Sequence, residues 1–281
     1  TTTTTAPGTN DIVMTIRPSP AAVHTTSLSE ADLQLITRGF QPQSARDGAS
    51  AWLYESRRRA QQVLDFLWLG PASAVKDRDF LRREGITMVL CARDARFAGV
   101  GGEGMLVTGA KRYVEGMGIE VGGVDVADGR ELVGAFSVVV GRVNEHVLAV
   151  ERDGSGRRGK VLVVCETGND RSAAVVAAYL MAVYGLDTVQ AVQFMQLQRF
   201  CVALGDDFKF QLQTYGDILR ARGDVGIMGE QQQQRGEVVG ANVKRRIEQT
   251  VGEAGEEDRG VIMAEMDAER YEGRNFAPFV E

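Results

Sequence analysis

The sequence predicts an α/β fold in which a central twisted, mixed sheet is flanked by helices, with loosely packed tails. Three observations predict it. Between about residues 50 and 222, short aliphatic runs alternate with stretches of helical periodicity. Hydrophobic residues make up 44% and charged residues 25% of the 281, which suffices for one buried core. Composition shifts near both ends. Residues 1–26 are rich in Thr, Ala, Pro and Ser, and beyond about 222 the chain turns Gly-, Gln- and Glu-rich, with Gln231–Gln234 as a low-complexity run. The expected organisation is a flexible segment over 1–50, a domain over 51–222 and a charged low-complexity tail over 223–281.

Taken in order, Ser27-Leu28-Ser29-Glu30 predicts a capping box that opens a short helix through Leu33, Leu35 and Ile36. Residues 41–50 return to small and polar types. Leu64–Leu69 and Ile86–Cys91 are short apolar runs suited to buried strands. Between them, Lys76–Glu84 predicts a surface helix that stops before Gly85. Ile119–Val126 is a third strand. Over Glu131–Glu151, residues Leu132, Phe136, Val139, Val140, Val143, Val147 and Val150 fall along one helical stripe. Lys160–Val164 is a fourth strand. Ser172–Tyr184 reads as a helix stopped by Gly185, Asp187 as the cap of another reaching Phe200, and Asp206–Ala221 as the last. Strands interleaved with helices place cover on both faces of the sheet.

The formal net charge of −6 gives no basis for a nucleic-acid or anionic-membrane partner, either of which would favour a basic patch. Lys244-Arg245-Arg246 is a basic triplet read as a solvated cluster, with nuclear import as the alternative. Three cysteines, Cys91, Cys165 and Cys201, make no disulfide framework and suit a reducing compartment, cytoplasmic and/or nuclear. Two histidines, His24 and His146, without a Cys-x-x-Cys pair, argue against a zinc site, and neither metal nor cofactor is expected. The most apolar stretch, Ser172–Gly185, is only 14 residues long and too short to span a bilayer. The Thr-rich N-terminus lacks the basic and apolar regions of a secretory signal, and the missing initiator Met reads as a processed or partial chain.

The chemistry concentrates in Val161-Leu-Val-Val-Cys165-Glu166-Thr167-Gly168-Asn169-Asp170-Arg171-Ser172. A buried strand runs into a five-residue loop, and an arginine follows at the mouth of a helix. The arrangement suits a phosphate cradle. Loop N–H groups of Glu166, Thr167, Gly168, Asn169, Asp170 and Arg171 point inward, and the helix start adds positive potential. Gly168 allows the tight turn. Arg171 offers a planar fork for two phosphate oxygens. Cys165 sits at the base, where the same field favours thiolate, a nucleophile aimed at phosphorus. Ser172 is placed to hydrogen-bond the sulfur and stabilise it as a leaving group. The plainer reading is a core cysteine ending a strand, with Arg171 capping a helix.

This C-x5-R pattern followed by Ser resembles the signature of the cysteine-dependent protein phosphatases, in particular the dual-specificity class. Phe66-Leu-Trp-Leu-Gly-Pro71 and Leu81-Arg-Arg-Glu-Gly-Ile-Thr-Met-Val-Leu-Cys91 look like that class's opening, and Ser172–Met181 like its helix after the loop. The resemblance is nearest to the serine/threonine/tyrosine-interacting (STYX-type) group, at Trp52–Arg59, Val124–Asp128, Gln198–Cys201 and Gln211–Tyr215. It covers roughly 50–220 and not the tails. It implies a single cysteine-phosphatase-like domain that hydrolyses phosphotyrosine and/or phosphoserine/threonine through a phosphocysteine, with a phosphorylated protein as partner. The alternative it implies is a pseudophosphatase that binds phosphorylated proteins with little or no turnover.

The sequence departs from the family pattern in both directions. The best-known STYX-type proteins carry glycine in place of the nucleophile, whereas this chain has Cys165. Active members usually have His just before it, whereas here it is Val164. Glu166 and Asp170 put carboxylates into the loop, expected to point outward. The family's general acid is an Asp before the long helix. Asp128 matches best, with Asp125 in reserve and an N-capping or turn role as the plain alternative for Asp128.

Other motifs are weaker. Gly99-Val-Gly101-Gly-Glu-Gly104 matches G-x-G-x-x-G, but no clear helix follows it, so it reads as a flexible loop at the pocket rim. Cys91 and Cys201 read as structural thiols. His146 reads as a surface or helix-packing residue. Arg57-Arg58-Arg59 reads as a solvated face with nothing to choose a partner. Lipid-phosphate or arsenate chemistry is a third possibility for the C-x5-R pattern, although the loop lacks the lysines an inositol phosphate would attract. The oligomeric state is left open.

Overall fold

A computed structural model describes residues 1–5, 12–47, 52–94, 104–126 and 131–251. The aliphatic runs pair into a five-stranded sheet of order β4-β5-β8-β6-β7. Its strands are β4 (Gln61–Leu64), β5 (Leu67–Pro71), β6 (Met88–Asp94), β7 (Glu120–Val126) and β8 (Val161–Cys165). β8 lies parallel between β5 and β6, β7 runs parallel to β6, and β4 is antiparallel to β5, which makes the sheet mixed as expected. The run Leu64–Leu69 is not one strand. The chain turns at Asp65-Phe66 and folds back as a hairpin.

Side-chain alternation along the buried strands splits the core in two. Val161, Val163 and Cys165 face one cluster, together with Met88, Leu90 and Ala92. Leu162 and Val164 face the other, together with Val89 and Cys91. Helix α6 (Arg171–Tyr184) fills the first face, and every residue from Ser172 to Tyr184 is buried. Helix α5 (Glu131–Arg152) packs on it through Val139, Val140, Val143 and Val147, and Tyr179 Oη donates to Asn144 Oδ1 at 2.8 Å. Helices α3 (Arg78–Glu84) and α4 (Gly104–Val114) cover the other face through Phe80, Leu81, Val107 and Ala110. α4 corrects the expectation that no helix follows Gly104. Residues 99–103 of the Gly-rich motif lie outside the described residues.

The described residues 1–5 and 12–47 depart from the flexible segment expected there. β1 (Thr2–Thr5), β2 (Ile12–Ile16) and β3 (Gln43–Arg46) form an antiparallel sheet, and α1 (Ala22–Thr26) and α2 (Glu30–Thr37) lie between its strands in sequence. Ile16, Leu33 and Ile36 are completely buried in the cluster that holds Phe66 and α6. Ser19 N–H donates to Val183 O at 2.9 Å, and Thr25 Oγ1 to Ala182 O at 2.9 Å, tying α1 to the end of α6. The capping box is real but shifted. Ser29 is the cap and Asp32 its partner, not Ser27 and Glu30.

Helix α7 (Thr188–Gln198) carries the expected Asp187 cap. α8 runs from Asp206 to Val251, well beyond its expected end at Ala221. The chain divides into two units, Thr1–Val225 and Gly226–Glu281. In the first, Phe208, Leu212, Tyr215 and Leu219 of α8 are buried at helical spacing.

Candidate active site

β8 ends at Cys165 and α6 begins at Arg171, so the five residues between them turn at the C-terminal edge of the parallel strands. The turn needs Gly168. Its φ is +75°, and an added Cβ would lie 2.5 Å from the Pro71 nitrogen. The loop's outer side is held by Arg199, which is completely buried. Its Nε donates to Gly168 O at 2.9 Å, and its Nη2 to Thr167 O at 3.1 Å and Asn169 Oδ1 at 3.0 Å. Ala203 N–H holds Asn169 O at 3.0 Å. In a trans peptide the carbonyl and the following N–H point opposite ways. The carbonyl drawn outward at Thr167 therefore turns the N–H of Gly168 inward, onto Cys165 Sγ.

The sulfur lies on that inner side. Gly168 N–H donates to Cys165 Sγ at 3.1 Å, and Ser172 Oγ donates to it at 3.1 Å. Cys165 is 1% exposed and Ser172 is buried at the first turn of α6. Val164 points to the opposite face, into the cluster with Trp68 and Cys91, so the residue standing where the family usually has His does not touch the sulfur.

Arg171 is engaged by carboxylates on both prongs. Nη2 donates to Asp94 Oδ2 at 2.6 Å, and Nη1 to Glu166 Oε2 at 2.9 Å. Asp94 ends β6 and its side chain is 5% exposed, whereas Glu166 is 54% exposed. The Glu166 carboxylate thus turns toward the fork, a correction to the outward direction expected of it. Thr167 is exposed and its Oγ1 accepts from Asn169 N–H at 3.3 Å, while Asp170 caps α6 without a side-chain cap bond. Asp125, the reserve acid, forms a two-pronged ion pair with Arg93, at 2.8 Å from Nη2 to Oδ2 on one prong. Asp128 lies outside the described residues.

The other chemistry-bearing residues have structural roles. Burial pushes the Cys91 thiol up to about 12 and raises that of Cys201, whose Sγ contacts Asn169 Oδ1 at 3.1 Å. His146 bridges Glu120 Oε2 and Thr87 Oγ1, each at 2.8 Å, which is a helix-packing role. Sequence reasoning missed Asp94 and Arg199 as site residues. Arg199 stood within a stretch that carried the resemblance, which was its only signal.

The dual specificity phosphatase catalytic domain family model matches residues 67–218. The human serine/threonine/tyrosine-interacting protein is 31% identical over 229 residues, which is 79% of this chain and 92% of that protein. Human dual specificity protein phosphatase 13B is 33% identical over 139 residues, covering 49% of this chain and 63% of its own. The crystal structure of the human tyrosine phosphatase-like serine/threonine/tyrosine-interacting protein is 27% identical, with a TM-score of 0.46, over 57% of this chain and 97% of that one.

Proposed function

This chain belongs to the dual specificity phosphatase family, and we propose that it acts as a cysteine-dependent phosphatase on phosphotyrosine and/or phosphoserine/threonine in proteins. One observation carries the reading: two donors, Gly168 N–H and Ser172 Oγ–H, converge on Cys165 Sγ at the floor of a loop that ends in Arg171. In the first step the thiolate attacks phosphorus, the bond to the ester oxygen breaks, and Asp128 gives that oxygen its proton. Arg171 and the loop amides bind the non-bridging oxygens most strongly as charge redistributes in the transition state. In the second step water attacks the phosphocysteine and passes its proton to Asp128. Inorganic phosphate leaves, and Ser172 donates to the departing sulfur. Asp128 is assigned from sequence, two residues past β7, whose C-terminal end lies on the same sheet edge as Cys165. Asp125 is already committed to Arg93.

Val164 and the likeness to a protein named for interaction support a second reading, a STYX-like pseudophosphatase that binds phosphorylated proteins with little or no turnover. Hydrolysis of a small aryl phosphate, with a chelator present, decides between them. We expect turnover by the wild type and a loss on the order of 100-fold or more in Cys165→Ser. Asp128→Asn should lose the fall in kcat at rising pH that an acid needed in its protonated form imposes. Equal background rates for wild type and Cys165→Ser would sink the enzyme, and binding of a phosphotyrosine peptide by the same protein would then carry the second reading.

A further inference from the structure

We propose that the cleft between the turn Tyr54–Arg58 and the Cys165–Arg171 loop is a second anion subsite, taking an acidic or phosphorylated residue that flanks the one held in the loop. The inference rests on the phosphate-cradle reading above and names a substrate class for it: peptides carrying negative charge beside the phosphosite.

Position is the first argument. Tyr54–Arg58 forms a 3-10 turn, and the cleft beside it has a volume of about 260 Å³. It is lined by Tyr54, Arg57, Arg58 and Ser73 on one side and by Glu166 and Thr167 of the cradle on the other. At about 30 Å³ per water, that volume admits a carboxylate or phosphate with part of its hydration.

Charge is the second. Among the described residues, Arg57, Arg58 and Arg59 form no ion pair with a carboxylate, in a chain whose net charge is −6. The arginines of another basic cleft, at Arg82, Arg83, Arg157 and Arg158, are each neutralised, by Asp79, by Glu84, by Asp153 and by Glu151 with Asp65. Two carboxylates stand near the proposed subsite. Glu166 is held by Arg171 until a phosphate competes for the fork, and Glu55 is an exposed residue of the same turn, so the two cleft arginines, Arg57 and Arg58, must outweigh Glu166 when the loop is filled. Arg57 lies 4.8 Å from the Tyr54 ring centroid and donates to its hydroxyl, a partner on the cleft wall that leaves its charge uncompensated.

Rigidity is the third. The Arg199 guanidinium that grips Thr167 O and Gly168 O also donates to Arg57 O at 3.0 Å and Arg59 O at 2.8 Å. One buried side chain therefore fastens the arginine turn to the phosphate cradle through backbone atoms on both sides. The spacing between the two anion sites is fixed, and the side chains of Arg57 and Arg58 can be changed without loosening the tie.

The test measures binding to Cys165→Ser protein by titration calorimetry. One phosphotyrosine peptide has neutral flanks, a second has Asp and Glu on both sides, and a third carries a second phosphate. The acidic and doubly phosphorylated peptides should bind about fivefold to tenfold tighter than the neutral one, the worth of two surface charge pairs. That ratio should collapse toward one on adding Arg57→Gln and Arg58→Gln, and should shrink as salt rises. Equal affinity for neutral and acidic peptides, or a ratio that survives the two substitutions, overturns the subsite while the cradle stands. If no phosphopeptide binds, the cradle reading falls and takes the subsite with it.

Discussion

At the scale of residues, the contest is over Arg171. A phosphate dianion competes with Asp94 and Glu166 for the N–H donors of the Arg171 fork, and each carboxylate holds one prong. The two carboxylates are not equivalent. Asp94 is buried and anchors Nη2 from the end of β6, whereas Glu166 is half exposed and lies within the loop the phosphate must enter. Glu166→Gln should remove a competitor without disturbing the buried partner. We expect KM for an aryl phosphate to fall about threefold to tenfold with kcat nearly unchanged, the size of one exposed ion pair. If turnover is absent, phosphopeptide affinity should rise by the same factor. An unchanged or higher KM would show that Glu166 positions the fork instead of competing for it. Cys165 and Arg171 were legible because the chain brings them together within seven positions. Asp94 was not, since its contact with Arg171 spans 77 residues and depends on how β6 sits beside β8.

At the scale of elements, the strand, loop and helix around Cys165 follow from local signals. Four aliphatics make the strand, Gly168 makes the turn, and a small-residue apolar run makes the helix. What shapes the loop is not local. Arg199 comes from beyond α7 and satisfies carbonyls of two separate segments, and no periodicity in the sequence marks a buried arginine as a tie rather than a surface charge. Its removal makes a sharp test. Arg199→Met would leave four carbonyls, those of Arg57, Arg59, Thr167 and Gly168, without their donor, at about 1–3 kcal/mol for each group left buried and unpaired. We expect a large drop in the urea midpoint and, in the protein that still folds at low temperature, a loss of phosphopeptide binding as well. Arg199→Lys should rescue little, because a point charge cannot serve acceptors arranged around a planar fork. Full phosphopeptide affinity in folded Arg199→Met would show that the loop keeps its shape unaided.

At the scale of the whole molecule, the described residues 1–5 and 12–47 fall within the same unit as the five-stranded sheet. Their Thr- and Ser-rich composition suggested a loose tail, because few apolar residues are visible along the segment. Composition misled because a few apolar residues, Met14, Ile16, Leu33 and Ile36 among them, turn inward onto the face of the sheet that α6 occupies, while Ile12 and Leu35 stay exposed. A segment with a small apolar fraction still anchors firmly when a handful of large side chains is fully buried in one place. Ile16 separates the two pictures. As a fully buried residue of the main cluster, its change to Ala should cost about 2–5 kcal/mol. In a loosely attached tail the cost would stay within about 0.5 kcal/mol. Urea unfolding should be followed by circular dichroism and by tryptophan fluorescence in a Trp52→Phe background, so that Trp68 alone reports from the cluster on the opposite face of the sheet. If the segment is integral, both probes shift together in Ile16→Ala and their transitions coincide, as one cooperative unit requires. A change that leaves the fluorescence transition in place while circular dichroism loses an early, separate step would mean that the N-terminal sheet unfolds on its own.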